Sequence, residues 1–162
     1  MNKIILTLLT ALLSMPVFAG DQPEVGAEAP AFNLQDQNGE WHKLEDYAGK
    51  WLAIYFYPKD DTPGCTKEAC NFRDNIYAFK AIEAAVVGVS VDDVESHKAF
   101  ADKYKLPFTL LADESKEMAK AYGVLKDYKL IKIASRQSFL IDPEGKIAKH
   151  YAKVDPDTHT DE

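Results

Sequence analysis

Cys65 and Cys70 are the only cysteines in a chain of 162 residues. They stand five positions apart in Tyr55-Phe-Tyr-Pro-Lys-Asp-Asp-Thr-Pro-Gly-Cys-Thr-Lys-Glu-Ala-Cys70. Thr62 suits a helix N-cap, and Pro63 suits the first helical position, where a missing N–H costs nothing. On that count Cys65 is the third residue of the helix. First-turn N–H groups lack intrahelical partners and the helix dipole is positive there, so both favour a thiolate over a thiol. Thr62 adds a hydroxyl able to donate to the sulfur or to a substrate oxygen. A plainer reading also fits: cysteine is among the most buried residue types and could simply fill space at a helix start.

On an α-helix Cys70 is displaced from Cys65 by a rise of about 7.5 Å and a turn of roughly 140°. A disulfide needs Cα atoms within about 7 Å and converging Cβ vectors. An intact helix cannot join the pair. The spacing therefore predicts a switch: a reduced helical form, and an oxidised form whose first turn has unwound. The alternative is a static bridge in a segment that is not helical, with modest chain-entropy stabilisation. Metal binding fits poorly, because two cysteines without a nearby histidine offer too few ligands. His42, His97, His150 and His159 all lie outside the segment, where each reads as a surface or packing residue.

The elements that would hold these thiols follow from periodicity. Trp51 to Tyr57 is an uncharged aromatic and aliphatic run, which reads as a buried strand. A helix is expected from Thr62 to about Ala84, then a second buried strand over Ala85–Ser90. Val94, His97, Phe100, Ala101 and Tyr104 recur at helical spacing until Pro107, and Phe108–Ala112 makes a strand. Ser115 is expected to cap a short helix through Tyr122, closed by Gly123. Gln137–Ile141 and Lys146–Tyr151 flank the turn Asp-Pro-Glu-Gly. Phe32–Leu44 alternates around Asn38-Gly39, a hairpin signature. Gly20–Glu24 reads as a short flexible leader. Strands alternating with helices, then a closing hairpin, fit an α/β chain of thioredoxin-like fold, with a central mixed sheet flanked by helices and an N-terminal hairpin.

The frame Pro58-x-x-x-Thr62-x-x-Cys65 resembles the active-site signature of peroxiredoxins. A second cysteine five residues on is the hallmark of the bacterioferritin comigratory protein, or Q-type, subfamily (atypical 2-Cys). Val25–Leu34, Ala69–Asp74, Gly88–Ser90, Leu106–Asp113, Ala121–Val124 and Arg136–Asp142 fit the same family. The resemblance runs from about Val25 to Val154. It implies that Cys65 is the peroxidatic nucleophile and Cys70 the resolving cysteine. It implies that Thr62 bonds the sulfur and a peroxide oxygen, that Pro58 shapes the loop and shields the sulfur, and that an arginine holds the thiolate and polarises the O–O bond. The chain has two arginines. Arg73 lies eight residues past Cys65 on one helix, about 12 Å along its axis, and reads as part of a solvated face. Arg136 opens a strand and matches the family's arginine; its fork stays charged at any relevant pH.

The chemistry so implied is reduction of hydrogen peroxide and organic hydroperoxides. Cys65 would become a sulfenic acid, and Cys70 would close a Cys65–Cys70 disulfide. A thioredoxin-like dithiol protein would reopen it by exchange. No metal, haem, flavin or nucleotide is needed. Two other readings remain open. Protein thiol–disulfide oxidoreductases normally carry Cys-x-x-Cys at the helix start. A non-catalytic exported domain would use the disulfide as a brace.

Residues 1–19 read as a secretory signal: Lys3, the apolar core Ile4–Leu13, then Val17-Phe18-Ala19 as a cleavage site. Without that stretch 18 basic residues face 26 acidic ones, a balance of −8. Such acidity favours solubility and argues against nucleic-acid or anionic-membrane binding. Residues 20–162 suffice for a single domain. Export from a bacterium would place it in the periplasm with an exported thioredoxin-like donor. Resolution within one chain permits a monomer. Relatives usually carry a further helix after the position of Val154, of which Asp155–Glu162 matches only the entry, so either the sequence is cut short there or one sheet face is less covered.

Overall fold

Leu52, Ile54 and Phe56 are buried against one apolar cluster, and Tyr55 and Tyr57 against another. This alternation places their strand at the centre of the molecule, buried on both faces. The computed structural model describes residues 22–161, so the signal-like stretch 1–19 lies outside the described residues. In chain order the strands and helices are β1 (Asn33–Gln35), β2 (Trp41–Lys43), β3 (Trp51–Phe56), α1 (Pro63–Asp74), α2 (Ile76–Ala81), β4 (Ala84–Ser90), α3 (Val94–Tyr104), β5 (Thr109–Ala112), α4 (Glu117–Ala121), β6 (Leu125–Asp127), β7 (Lys132–Ala134), β8 (Gln137–Ile141) and β9 (Ile147–Tyr151). Short 3-10 turns cover Leu44–Tyr47 and His159–Asp161.

The main sheet runs β5-β4-β3-β8-β9. β3, β4 and β5 are parallel, while β8 pairs antiparallel with both β3 and β9. This is the central mixed sheet expected from the sequence. One face packs Val87, Val89, Leu111, Phe139 and Ile141 against Phe32 and against Met118 and Ala119 of α4. The other packs Tyr55, Tyr57, Val86 and Leu110 against Cys65, Ala69 and Phe72 of α1 and Phe100 and Ala101 of α3. Each fully buried large apolar side chain contributes about 1.5–3 kcal/mol relative to exposure. The second cluster thus ties the thiol-bearing helix to the sheet.

Several elements differ from the sequence reading. The long helix is two: Asn75 caps α1, and its side-chain amide donates to Asn71 O at 3.0 Å beside its own backbone N–H at 3.1 Å. A side chain that competes for the helix's carbonyls favours termination. Lys105, in the left-handed conformation (φ 54), rather than Pro107, ends α3. At the start of α4 Ser115 Oγ accepts only a long bond from Glu117 N–H, at 3.4 Å, and Asp113 supplies the shorter ones. Its buried carboxylate accepts the N–H of Met118 at 3.2 Å and of Ala119 at 2.7 Å. The β6–β7 hairpin carries no strong alternation and was not expected. Gln22 is anchored rather than free, its amide donating to Gln137 at 2.6 Å. The N-terminal hairpin forms around Gly39 (φ 79) as read. Its Gln37 side chain bonds Phe108 O and Leu110 N–H at 2.9 and 2.8 Å, which covers the β5 edge.

Beyond β9 the described chain makes turns and the 3-10 turn His159–Asp161, which lies on α1. A groove of about 490 Å³ remains on the α1 side of β3 and β8, lined by Trp51, Ala53, Phe72, Phe79, Ile82, Leu140 and Tyr151 among others. Within the sheet, Gly88 leaves room for the Tyr55 ring. A Cβ there would stand 2.7 Å from the Tyr55 hydroxyl oxygen and 2.8 Å from Leu110 Cδ2. Gly88→Ala should therefore lower unfolding free energy by about 1–3 kcal/mol through overpacking. Denaturant titration against the parent chain measures the loss.

Candidate active site

The chain between β3 and α1 is short, and α3 holds it at two points. Asp60 is buried and accepts from the hydroxyls of Tyr57 (at Oδ1) and Ser96 (at Oδ2), each at 2.7 Å, while His97 Nδ1 lies 2.8 Å from the same Oδ2. Its own N–H donates to Asp92 at 2.9 Å. Asp61, with φ 55, takes Lys103 Nζ at 2.7 Å and the Tyr104 hydroxyl at 2.6 Å. Those two donors hold its carboxyl below the usual aspartate range. Pro58 is half-buried at the head of this loop. Thr62 is the last extended residue (φ −89, ψ 151), Pro63 opens α1, and Cys65 is its third residue, as the residue types require. The Thr62 hydroxyl differs from expectation. It donates to Lys59 O at 3.1 Å instead of to the sulfur, and so closes the loop on itself.

Cys65 is 1% exposed, whereas Cys70 is half-buried. Both are free thiols on an unbroken helix. Arg136, just before β8, places Nη2 3.2 Å from Cys65 Sγ. Gly64 permits this approach, because a Cβ there would already lie 3.3 Å from Arg136 Nη2. The other guanidinium nitrogen, Nη1, pairs with Glu68 Oε2. Glu68 is 0% exposed, and its second oxygen faces His159 Nδ1 at 2.9 Å. Burial pulls the Arg136 pKa down, but the Glu68 charge and the Cys65 sulfur outweigh it and leave it raised. A permanent cation thus touches a buried sulfur at the positive end of a helix. That arrangement stabilises an anion on sulfur and on any oxygen bonded to it.

The structure therefore brings Cys65 and Arg136 together, sets Thr62 and Pro58 in the adjoining loop, and holds Cys70 away from Cys65. Arg73 is elsewhere and is not simply solvated. Its Nη1 donates to Tyr104 O at 2.7 Å and joins the ends of α1 and α3. Glu68 and His159 were missed. Glu68 sits three residues past Cys65, so a carboxylate one helical turn from a thiol was the available signal; nothing local marks His159. Among the described residues, one trio has metal-ligating types, Asp36, Glu40 and His42. Asp36 there accepts the N–H of Asn38 and Glu40 at 2.8 and 3.0 Å, which is the hydrogen bonding of a turn.

The AhpC/TSA family model matches residues 25–150. The chain belongs to that family, the peroxiredoxins. Within it the chain is 44% identical over 146 residues to Peroxiredoxin Bcp of Bacillus subtilis, covering 86% of this chain and 91% of that one. A PrxQ crystal structure from Xylella fastidiosa superposes with a TM-score of 0.82 at 32% identity, over 88% of this chain and 93% of that chain. The bacterioferritin comigratory protein of Xanthomonas campestris gives a TM-score of 0.79 at 34% identity, over 85% and 93%. These likenesses establish the thioredoxin-like peroxiredoxin fold and the Bcp/peroxiredoxin Q relationship, and with it a thiol-dependent peroxidase.

The loop pin makes a prediction. Asp60→Ala leaves the Tyr57 and Ser96 hydroxyls without their acceptor and removes the charge beside buried His97. It should cost about 3–5 kcal/mol, the usual loss when one partner of a buried pair is deleted, as read by thermal unfolding of the reduced protein.

Proposed function

We propose that this peroxiredoxin reduces hydrogen peroxide and organic hydroperoxides with Cys65 as the attacking thiolate and Cys70 as the resolving thiol. The 3.2 Å contact between Arg136 Nη2 and Cys65 Sγ carries the reading. The thiolate attacks one peroxide oxygen and the O–O bond breaks. The sulfur is oxidised to a sulfenic acid, and the second oxygen leaves, after protonation, as water or an alcohol. Arg136 and first-turn N–H groups stabilise the charge that develops on the oxygens. Thr62 turns its hydroxyl from Lys59 toward the incoming peroxide, and Pro58 keeps water from the sulfur. The first turn of α1 then unwinds, the Cys70 thiol attacks the sulfenic sulfur, and water leaves as the disulfide forms. A thioredoxin-like dithiol protein reduces it by exchange. The Xanthomonas neighbour, described for its alkyl peroxide reduction activity, supports organic hydroperoxides as substrates.

We assign residues 1–19 as a cleaved secretory signal, residues 20–162 as one catalytic domain, and the bacterial periplasm as its place of work. The n-region Lys3, the apolar core and the Val17-Phe18-Ala19 site support this. Both thiols belong to one helix, so resolution needs no second chain, which supports a monomer as the working form. Expression of the full chain in a bacterium, followed by fractionation and N-terminal sequencing, should give a periplasmic product that begins at Gly20; a cytosolic product that keeps Met1 overturns the assignment.

Two substitutions test the chemistry. Arg136→Ala should slow sulfenate formation by about 100-fold or more, as loss of a charge-stabilising donor does, with the far-UV spectrum unchanged. Cys70→Ser should allow one turnover and then stall with Cys65 open to overoxidation. Sustained turnover of that variant with a dithiol protein would remove Cys70 from the mechanism. Slow oxidation of the parent Cys65, no faster than a free thiol, would return the chain to the oxidoreductase or structural readings.

A further inference from the structure

Glu68 is a buried carboxylate between two bases. Oε2 pairs with Arg136 Nη1, and Oε1 lies 2.9 Å from His159 Nδ1. A carboxylate only accepts, so Nδ1 carries the proton in this contact. Among the described residues these two are the partners of the Glu68 side chain. Arg136 is consequently one-armed on Glu68, and its second amino group, Nη2, remains on Cys65 Sγ at 3.2 Å. A guanidinium beside a carboxylate with both oxygens free prefers the two-armed pairing, fork on fork. Without a competing donor on Oε1, that pairing would draw Nη2 away from the sulfur.

We propose that His159 is a positioning residue for the peroxidase reaction: by occupying Glu68 Oε1 it keeps the Arg136 fork divided between Glu68 and the Cys65 sulfur. It acts from the turn after β9, 91 residues away from Glu68 in sequence. The turn is well held for the task. Asn71 Nδ2 donates to Pro156 O and Asp157 O at 2.9 and 3.2 Å, and Lys67 pairs with Asp157 at 2.5 Å. The His159 ring packs edge-on against Phe72 at 5.0 Å and Tyr151 at 6.1 Å. The ring is therefore placed by packing, and only its Nδ1–H is aimed at the carboxylate.

The inference rests on Cys65 being the peroxide-reactive thiol, and the test separates the two. His159→Phe keeps a ring between Phe72 and Tyr151 and removes the donor. His159→Asn places an amide N–H where Nδ1 stands, whereas His159→Gln reaches where Nε2 stands. In the Cys70→Ser background, the rate of Cys65 sulfenate formation with hydrogen peroxide is measured by rapid quench. The alkylation rate with iodoacetamide is measured in parallel. Arg136 favours the thiolate in both reactions but stabilises charge on the peroxide oxygens only in the former, so the ratio of the rates reports its position on the oxygens while general loosening moves both. The Phe variant should lower the ratio by about 10- to 100-fold, the scale of a catalytic group displaced by an ångström, and Asn should restore most of it. An unchanged ratio in the Phe variant overturns the proposal. If that variant does not fold, equal ratios for Asn and Gln overturn it. A parent Cys65 inert to peroxide would instead overturn the proposed function itself.

Discussion

One guanidinium shared between two anionic partners governs this structure. Arg136 touches the Cys65 sulfur with one nitrogen and the Glu68 carboxylate with another. A thiolate at Cys65 would add a second negative charge to a site where Glu68 already carries one in full burial. Burying either charge alone would cost several kcal/mol. The cation offsets both, and the first-turn N–H groups assist on the sulfur side. Arg136 can do this only if β8, which it precedes, lies beside β3, and if Gly64 leaves the helix start bare. The sheet order and one missing side chain therefore bear directly on the chemistry.

On the proposed mechanism the same helix must also come apart. Cys70 cannot meet Cys65 while α1 is intact, so the architecture has to confine unwinding rather than forbid it. Upstream, Asp60 and Asp61 tie the loop to α3. Downstream, Asn71 is held by the C-terminal turn and Arg73 by the end of α3. Between these anchors lie Pro63 and Gly64, the two residue types least suited to helix interiors. Melting is thereby directed to the first turns of α1, while Phe72 and the second apolar cluster keep the remainder docked on the sheet.

Much of this was legible in the sequence because the signals were local. The uncharged run of β3, the Thr62-Pro63 helix start, the Asn38-Gly39 hairpin and the turn before β9 each carry their own residue chemistry. The five-residue spacing of the thiols and the position of Arg136 at a strand start were equally plain. What escaped notice depended on tertiary context. Glu68 looks like any charged residue of a solvated helix until Arg136, before β8, and His159, after β9, are brought to it at the open end of that hairpin. Arg73 reads as surface because the carbonyl it binds belongs to another helix. Thr62 was expected at the sulfur, yet its nearest acceptor is a backbone oxygen three residues back. The break between α1 and α2 turns on one asparagine amide. In each case a polar side chain had two plausible partners, and packing chose.

The groove beside β3 gives the molecule an optical reporter of its own. Trp51 forms part of its wall together with Phe72 of α1 and Phe79 of α2, and is 37% exposed. Trp41, the other indole, stands 63% exposed on the N-terminal hairpin, away from the groove-lining residues. Undocking of Phe72 would alter the polarity around the first indole and leave the second in water. Emission from Trp51 therefore reports whether the far end of α1 stays on the sheet when its first turns open, without any added dye.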